Sequence, residues 1–137
     1  MTDMTEQEER LVAAAIAAMG QAYAPYSKFP VGAAILDEGG GIHSGANVEN
    51  AAYPVGNCAE ASAIAAMVMA GRGRIDAIAV AGGDGKMLCT PCGACRQRIR
   101  EFAAPDTPVL ISGPAGLQRR FALEELLPES SGPENLG

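Results

Sequence analysis

The apolar and polar positions of this chain divide it into short helices and strands separated by glycine-rich or polar turns. Thr5 and Glu8 match a capping box at the start of a helix, which continues to about Met19 and ends at Gly20. Residues 31–36 and 42–48 then predict two strands joined by the glycine-rich turn at 37–41. The first half of the chain therefore predicts a helix followed by a β-hairpin.

The second half alternates between helices and strands. The pattern predicts helices at 58–70, 92–102 and 123–127, and strands at 75–81, 109–112 and 116–121. Asn57 is the expected N-cap of the first of these helices, and Pro91 opens the second. A polar tail follows at 128–137, and its composition predicts a loose segment.

This order of elements predicts an α/β fold. Alternating strands and helices favour a mixed sheet with helices packed on its faces, which is a three-layer α/β/α arrangement with about five strands. A length of 137 residues fits a single domain over residues 1–137. Ligand sites in such folds gather at the edges of the sheet where strands lead into helices.

Composition narrows the class of partner. The net charge is −6, and the calculated pI of about 4.7 argues against a nucleic acid polymer as substrate and favours a small molecule. The apolar stretch from Leu11 to Met19 is too short to cross a bilayer, and no secretory signal precedes it. We therefore expect a cytoplasmic protein that does not associate with membranes and whose four cysteines are reduced. Its alanine-rich core favours an oligomer.

Three of those cysteines suggest a zinc site. Cys92 and Cys95 are three residues apart and share one face of a predicted helix, while Cys58 begins another helix. Thiolates favour zinc among the common cytosolic ions, and three protein ligands leave a fourth position for water. Glu60 lies beside Cys58 without being needed as a ligand, so it is the candidate proton carrier.

Other metal sites fit the same cysteines. Cys89 is three residues before Cys92 and offers a fourth ligand for a structural zinc, and the resulting spacing also resembles that of an iron–sulfur protein. His43 is the only histidine, and its place in the hairpin predicts a surface residue without a role in chemistry.

Cys58-Ala59-Glu60 followed by Pro91-Cys92-Gly93-Ala94-Cys95 resembles the motif of zinc nucleobase deaminases. Together with these two motifs, four other segments resemble the small, tetrameric class of cytidine deaminase, and all six occur in the order found in that family. The resemblance extends from about Leu11 to Leu127, and its segments are Tyr23–Phe29, Val31–Ala34, Asn47–Tyr53, Cys58–Glu60, Pro91–Gln97 and Leu126–Pro128.

The resemblance implies roles for individual residues. It implies a Zn²⁺ ion on Cys58, Cys92 and Cys95, with Glu60 shuttling protons from a zinc-activated water to the pyrimidine. It also implies a homotetramer. The residues that it places around the nucleoside are Asn47 and Glu49 at the ribose hydroxyls, Phe29 near the base and sugar, the backbone of Ala59 at the pyrimidine, and Ala51 and Tyr53 toward a neighbouring subunit's site.

Two positions depart from the pattern. Many relatives carry arginine directly after the catalytic glutamate, where this chain has Ala61, and the helix dipoles together with Arg96 or Gln97 are then expected to compensate. Relatives often place phenylalanine in the tail, where it covers a neighbour's substrate, and this chain has Ser131 at that position.

The expected activity is hydrolytic deamination of cytidine and 2′-deoxycytidine to uridine and 2′-deoxyuridine, a step of pyrimidine salvage. Deamination of another aminopyrimidine nucleoside is the first alternative, although Asn47, Glu49 and Asn50 argue against it. A structural zinc or cluster protein is the second alternative.

Overall fold

The structure is a computed structural model that describes residues 4–136. Its helices are α1 (Glu6–Met19), α2 (Ala59–Met69), α3 (Gly93–Phe102) and α4 (Leu123–Leu126). Its strands are β1 (Val31–Asp37), β2 (Ile42–Ala46), β3 (Ile75–Gly82), β4 (Pro108–Gly113) and β5 (Gly116–Ala122), and short 3₁₀ helices lie at Tyr53–Val55 and Pro133–Asn135. No helix among the described residues combines the length and the apolar character needed to cross a membrane.

The five strands form one mixed sheet in the order β2-β1-β3-β4-β5. Strand β1 runs antiparallel to both β2 and β3, whereas β3 and β4 are parallel and β5 returns antiparallel to β4. The parallel pair needs a crossover, and α3 lies in the segment that makes it. The predicted α/β fold with a mixed sheet of about five strands is therefore confirmed.

Each face of the sheet carries its own apolar cluster. One cluster joins α1 to small residues of the central strands, among them Ala34, Ala77, Ala79 and Ala81. The other cluster joins α2 and α3 to larger side chains that alternate with these, namely Ile35, Ile78, Val80, Val109 and Ile111. Because successive strand residues point to opposite faces, this alternation builds three layers with helices on both sides.

Two glycines allow the helices to approach the sheet closely. A Cβ atom at Gly32 in β1 would overlap the backbone of Ala15 and Met19 in α1. A Cβ at Gly45 in β2 would lie 2.5 Å from the backbone nitrogen of Ala63 in α2, on the opposite face. Both helices are thus in backbone contact with the sheet, and the position of α2 also sets the position of Cys58.

The sequence pattern predicted the first residue of each helix to within one position. Thr5 caps α1 through the expected capping box with Glu8. The predicted Asn57 cap of α2 is wrong, because Cys58 itself is the N-cap, as Cys92 is for α3. Strand β2 ends at Ala46 rather than at 48, because Val48 pairs with Asn57 and Tyr23 instead of with β1.

His43 does not lie at the surface, and that expectation was wrong. Its imidazole Nε2 lies 2.6 Å from the Asp37 carboxylate, with only 14% of the His43 side chain and 2% of the Asp37 side chain exposed. The amides of Gly39 and Gly41 also donate to Asp37 Oδ1. The pair therefore stabilises the β1–β2 turn.

The tail is not loose over its described part, so that expectation was also wrong. Buried Arg100 on α3 donates to the Ser130 hydroxyl and forms an ion pair with Glu134. Gln97 Nε2 donates to the Ser131 carbonyl oxygen at 2.9 Å. Composition missed this docking because its partners lie thirty residues upstream, on α3.

The close contact at Gly32 leads to a stability prediction. We expect Gly32→Ala to lower the free energy of unfolding by about 1–3 kcal/mol or more, because α1 must shift away from the sheet. Chemical denaturation measures the loss. Gly73→Ala is the matched control, since a Cβ there meets nothing within 4 Å. Equal stability of the two variants would contradict the close packing of α1.

The Asp37–His43 pair predicts a pH dependence of stability. The His43 hydrogen bond, aided by the Gly41 and Gly39 amides and by Arg72, lowers the pKa of Asp37 from 3.8 to about 2, against the opposing effect of burial. A lowered folded-state pKa stabilises the fold above pH 3.8, and this contribution disappears as the pH falls toward 2. We expect Asp37→Asn to be less stable than wild type at pH 7.

In urea titrations, the difference between Asp37→Asn and wild type should shrink as the pH falls between those two pKa values. Asp76→Asn, at an exposed ion pair with Arg74, provides the control and should differ little from wild type at any pH. A difference for Asp37→Asn that stays constant across the titration would contradict the assigned role of the carboxylate.

Candidate active site

The topology brings three segments of the chain to one edge of the sheet. Strands β2 and β3 end there, and β1, which is antiparallel to both, begins there. The segments next to these strand ends carry Phe29, Asn47 and Cys89. Helices α2 and α3 also begin close by, so their N-terminal amides and positive dipole ends face the same region.

Three cysteine sulfurs meet at these two helix starts. Cys58 and Cys92 are the N-cap residues of α2 and α3, and Cys95 lies in the first turn of α3. Their Sγ atoms all lie within 4.8 Å of one another, although Cys95 is buried, Cys58 half-buried and Cys92 exposed. The structure thus brings together the three cysteines that the sequence predicted.

Burial, hydrogen bonds and neighbouring charges each shift the pKa values of the three thiols. Burial, followed by the charges of Glu60, Cys58 and Cys92, raises the pKa of Cys95. Burial also raises the pKa of Cys58. For Cys92, burial is outweighed by hydrogen bonds from the Cys95 amide and thiol and from the Ala94 amide, so its pKa is lowered. Three thiolates in this space therefore require a cation.

The donor set fits zinc. Tetrahedral zinc with Zn–S bonds of about 2.3 Å places sulfurs about 3.8 Å apart, which the observed grouping approaches to within about 1 Å. Among residues 4–136, Cys89 is not part of the metal-binding group. It packs instead against the core, where burial and then Glu60 raise its pKa to about 11. A fourth sulfur ligand from Cys89 is therefore not supported.

Glu60 lies in the first turn of α2 and is only 5% exposed. Burial raises the pKa of its carboxyl, and smaller opposing effects come from its own amide, the Cys95 thiol and Arg98. A carboxyl group that binds protons more readily than usual, next to the sulfur cluster, suits proton transfer.

The cation nearest the cluster is a residue that the sequence analysis missed. The Arg98 guanidinium donates to Cys95 Sγ at 3.5 Å. Neither expected substitute is available: Arg96 donates to the carbonyls of Pro91 and Leu126, and Gln97 binds the tail. The i, i+3 spacing of Cys95 and Arg98 on a helix is the signal that was overlooked.

A cavity of about 450 Å³ lies beside Cys58. Three of the predicted nucleoside-binding residues line it, namely Asn47, Glu49 and Tyr53. The rest of its lining consists of Tyr26, Ser27, Val48, Asn50, Gly56 and Asn57. Its volume and its mixture of aromatic, amide and carboxylate groups suit a ligand with an apolar ring and several hydroxyls.

Asn47 and Glu49 hold the neighbouring loop as well as lining the cavity. Asn47 accepts from the Val31 amide and donates to the Phe29 carbonyl. Glu49 accepts from the amides of Tyr26 and Ser27 and from the Ser27 hydroxyl, which is the main cause of its lowered pKa. Within residues 4–136, one N–H and one lone pair of the Asn47 amide have no partner, and ionised Glu49 retains acceptor capacity.

The remaining predicted residues are spread around this edge. Phe29 is 45% exposed, and its ring lies against Gly83. Ala59 is fully buried in the core at the start of α2. Ala51 is exposed, and Tyr53, 77% exposed, lies with its ring centroid 6.2 Å from that of Tyr26. Phe29, Ala51 and Ala59 are not among the residues that line the cavity.

Comparison with known proteins identifies the class. A family model described as the cytidine and deoxycytidylate deaminase zinc-binding region matches residues 5–111. The fold and the cysteine group thus belong to a zinc-binding deaminase, and zinc is its metal cofactor.

Individual proteins similar to this chain are also cytidine deaminases. A cytidine deaminase of Sporosarcina psychrophila is 44% identical over 93% of each chain, and one of Halalkalibacterium halodurans is 41% identical over 93% of this chain and 96% of its own. The crystal structure of cytidine deaminase from Burkholderia pseudomallei, 42% identical, covers 93% of this chain and 100% of its own with a TM-score of 0.84. The chain belongs to the cytidine deaminase family.

The sulfur geometry predicts which cysteines retain metal. We expect wild-type protein to carry about one zinc ion per chain, and Cys58→Ser, Cys92→Ser and Cys95→Ser each to lose most of it on dialysis. Cys89→Ala is the matched control and should keep the wild-type zinc content. Atomic absorption measures the metal, and zinc loss in Cys89→Ala equal to that of the others would contradict the three-ligand site.

Proposed function

We propose that residues 1–137 form a single deaminase domain that converts cytidine and 2′-deoxycytidine to uridine and 2′-deoxyuridine, with release of ammonia. The observation that carries this proposal is the position of Glu60. Its nearly buried carboxyl lies beside a cluster of three thiols, and the cluster adjoins a cavity of suitable volume for a nucleoside. A structural metal site has no need of such a carboxyl.

Cys58, Cys92 and Cys95 hold the zinc in this proposal. When bound, zinc lowers the pKa of a water in its open position, so that a nucleophile is available near neutral pH. The helix N-termini of α2 and α3 stabilise the thiolates. The cluster adjoins the cavity at Cys58, which is one of the residues that line it.

Glu60 carries the protons through the reaction. It takes one proton from the attacking water and delivers it to N3 while the new C4–O bond forms. It then moves the remaining hydroxyl proton to the exocyclic amine, the C4–N bond breaks, and ammonia leaves. One water is consumed and one ammonia released for each nucleoside. The carboxyl must gain and lose a proton in each cycle, and the burial that raises its pKa helps it to gain one.

The substrate is positioned by residues that are themselves held in place. Asn47 and Glu49 bind the ribose hydroxyls with their remaining donor and acceptor capacity, while their other hydrogen bonds fix the loop at 26–31. Phe29 packs near the base and sugar, and the Ala59 backbone binds the pyrimidine edge. Pre-formed hydrogen bonds reduce the entropy cost of ordering these groups on binding.

The enzyme acts in the cytoplasm, within pyrimidine salvage, and it acts as a homotetramer. Apolar side chains left exposed around the cavity support the association of subunits: Val48 is 50%, Tyr53 77% and Val55 63% exposed. An apolar surface of this kind is typical of an interface. Ala51 and Tyr53 then approach a neighbouring subunit's site. Light scattering of the wild-type protein gives the oligomeric mass directly.

Replacing Glu60 tests the mechanism. We expect Glu60→Gln to retain zinc and the fold but to lose roughly 10²–10⁴-fold in turnover, because the amide cannot shuttle protons. Ammonia release and the change in ultraviolet absorbance of cytidine measure turnover. Glu9→Gln, at an exposed position on α1, is the matched control. Normal deamination by Glu60→Gln would refute the proposed role.

A substrate panel tests the activity itself. Cytidine, 2′-deoxycytidine, cytosine and a modified cytidine are compared for kcat/KM, with ammonia measured in parallel. We expect both nucleosides to react and free cytosine to react poorly, because the bonds to the ribose are then missing. A clear preference for the modified nucleoside would favour the alternative activity toward other aminopyrimidine nucleosides. Zinc-loaded protein that releases no ammonia from any of them would refute the proposal.

A further inference from the structure

A shallow groove between α2 and α3 is lined both by Ala61, where many relatives carry arginine, and by Arg98. Ala61 on α2 and Arg98 on α3 line the same groove, together with Ile64, Ala65, Gln97, Glu101 and Phe102. Ala61 is only half-buried, so its short side chain leaves space between the two helices. Arg98 enters this space from α3 and reaches Cys95.

Arg98 is the guanidinium that reaches the sulfur cluster, because it donates to Cys95 Sγ at 3.5 Å. Arg96 cannot serve, because its guanidinium is occupied by Pro91, Leu126 and Thr90.

We propose that Arg98 is a positioning residue that supplies, from α3, the positive charge that balances a zinc ion held by three thiolates, in the space left open by Ala61. This inference rests on the zinc site of the proposed function. Zinc with three thiolates has a formal charge of −1, which the guanidinium neutralises. Its N–H group also fixes the orientation of the Cys95 sulfur, as outer hydrogen bonds do in other metal sites.

Removing the guanidinium should weaken metal binding. In Arg98→Met, which keeps a side chain of similar length, we expect the zinc dissociation constant to rise roughly 10–100-fold at fixed pH. Arg98→Lys keeps the charge without the planar fork, so its loss should be smaller. Competition with a chromophoric chelator measures the constant. Arg74→Met removes an exposed charge at the start of β3 and is the matched control.

Rescue separates a charge effect from a packing effect. We expect Ala61→Arg combined with Arg98→Met to recover most of the zinc affinity, because position 61 opens into the same groove. Cobalt-substituted protein adds a spectroscopic test. Loss of the N–H donor at Cys95 should shift the sulfur-to-cobalt charge-transfer band to longer wavelength in Arg98→Met and not in Arg74→Met.

Two results would overturn the proposal. One is a zinc affinity of Arg98→Met equal to that of Arg74→Met. The other is an unshifted cobalt spectrum of Arg98→Met together with a double variant that binds zinc no better than Arg98→Met. In either case, wild-type protein that binds zinc and deaminates cytidine leaves the proposed function standing. Wild-type protein that binds no zinc refutes both.

Discussion

The structure depends on placing three thiolates within a few ångströms of one another in a partly buried position. Burial disfavours the ionisation of Cys58 and Cys95, and the charges of neighbouring groups, including the Cys92 sulfur, add to this cost. Two helix N-termini, a metal ion and a guanidinium each lower it. Cys58 and Cys92 are N-caps rather than members of the helix interiors, so the positive ends of both helices adjoin the cluster.

That cluster exists only because α2 and α3 begin at the same edge of the sheet. The side chains facing these helices are mainly valine and isoleucine, whereas those facing α1 are largely alanine. Gly45 brings α2 against β2, and Gly32 brings α1 against β1. Because such contacts leave no room for even a methyl group, they fix α1 and α2 against the sheet, and α2 begins directly after Cys58.

The cavity beside the cluster is also ordered before a ligand arrives. Asn47 and Glu49 bond to the backbone of the loop at 26–31, and this loop in turn carries Phe29. Elsewhere on α3, Arg100 and Gln97 hold the tail. Successive positions of α3 therefore serve different purposes: Cys95 belongs to the metal group, Arg98 balances charge, and Arg100 docks the C-terminal segment.

The sequence by itself determined the class of fold, most element boundaries, the three grouped cysteines and the family. It did so because hydrophobic periodicity, capping residues and cysteine spacing are local properties of the chain. The location of His43, the docking of the tail and the cation at Cys95 were decided by tertiary structure. Each of these features depends on a contact between side chains that are separated in the sequence. Asp37 contacts the His43 imidazole across the hairpin, and Arg100 contacts Ser130, thirty residues away. Arg98 was the exception, because its spacing from Cys95 is local, yet only the positions of α2 and α3 showed that Ala61 leaves space for it.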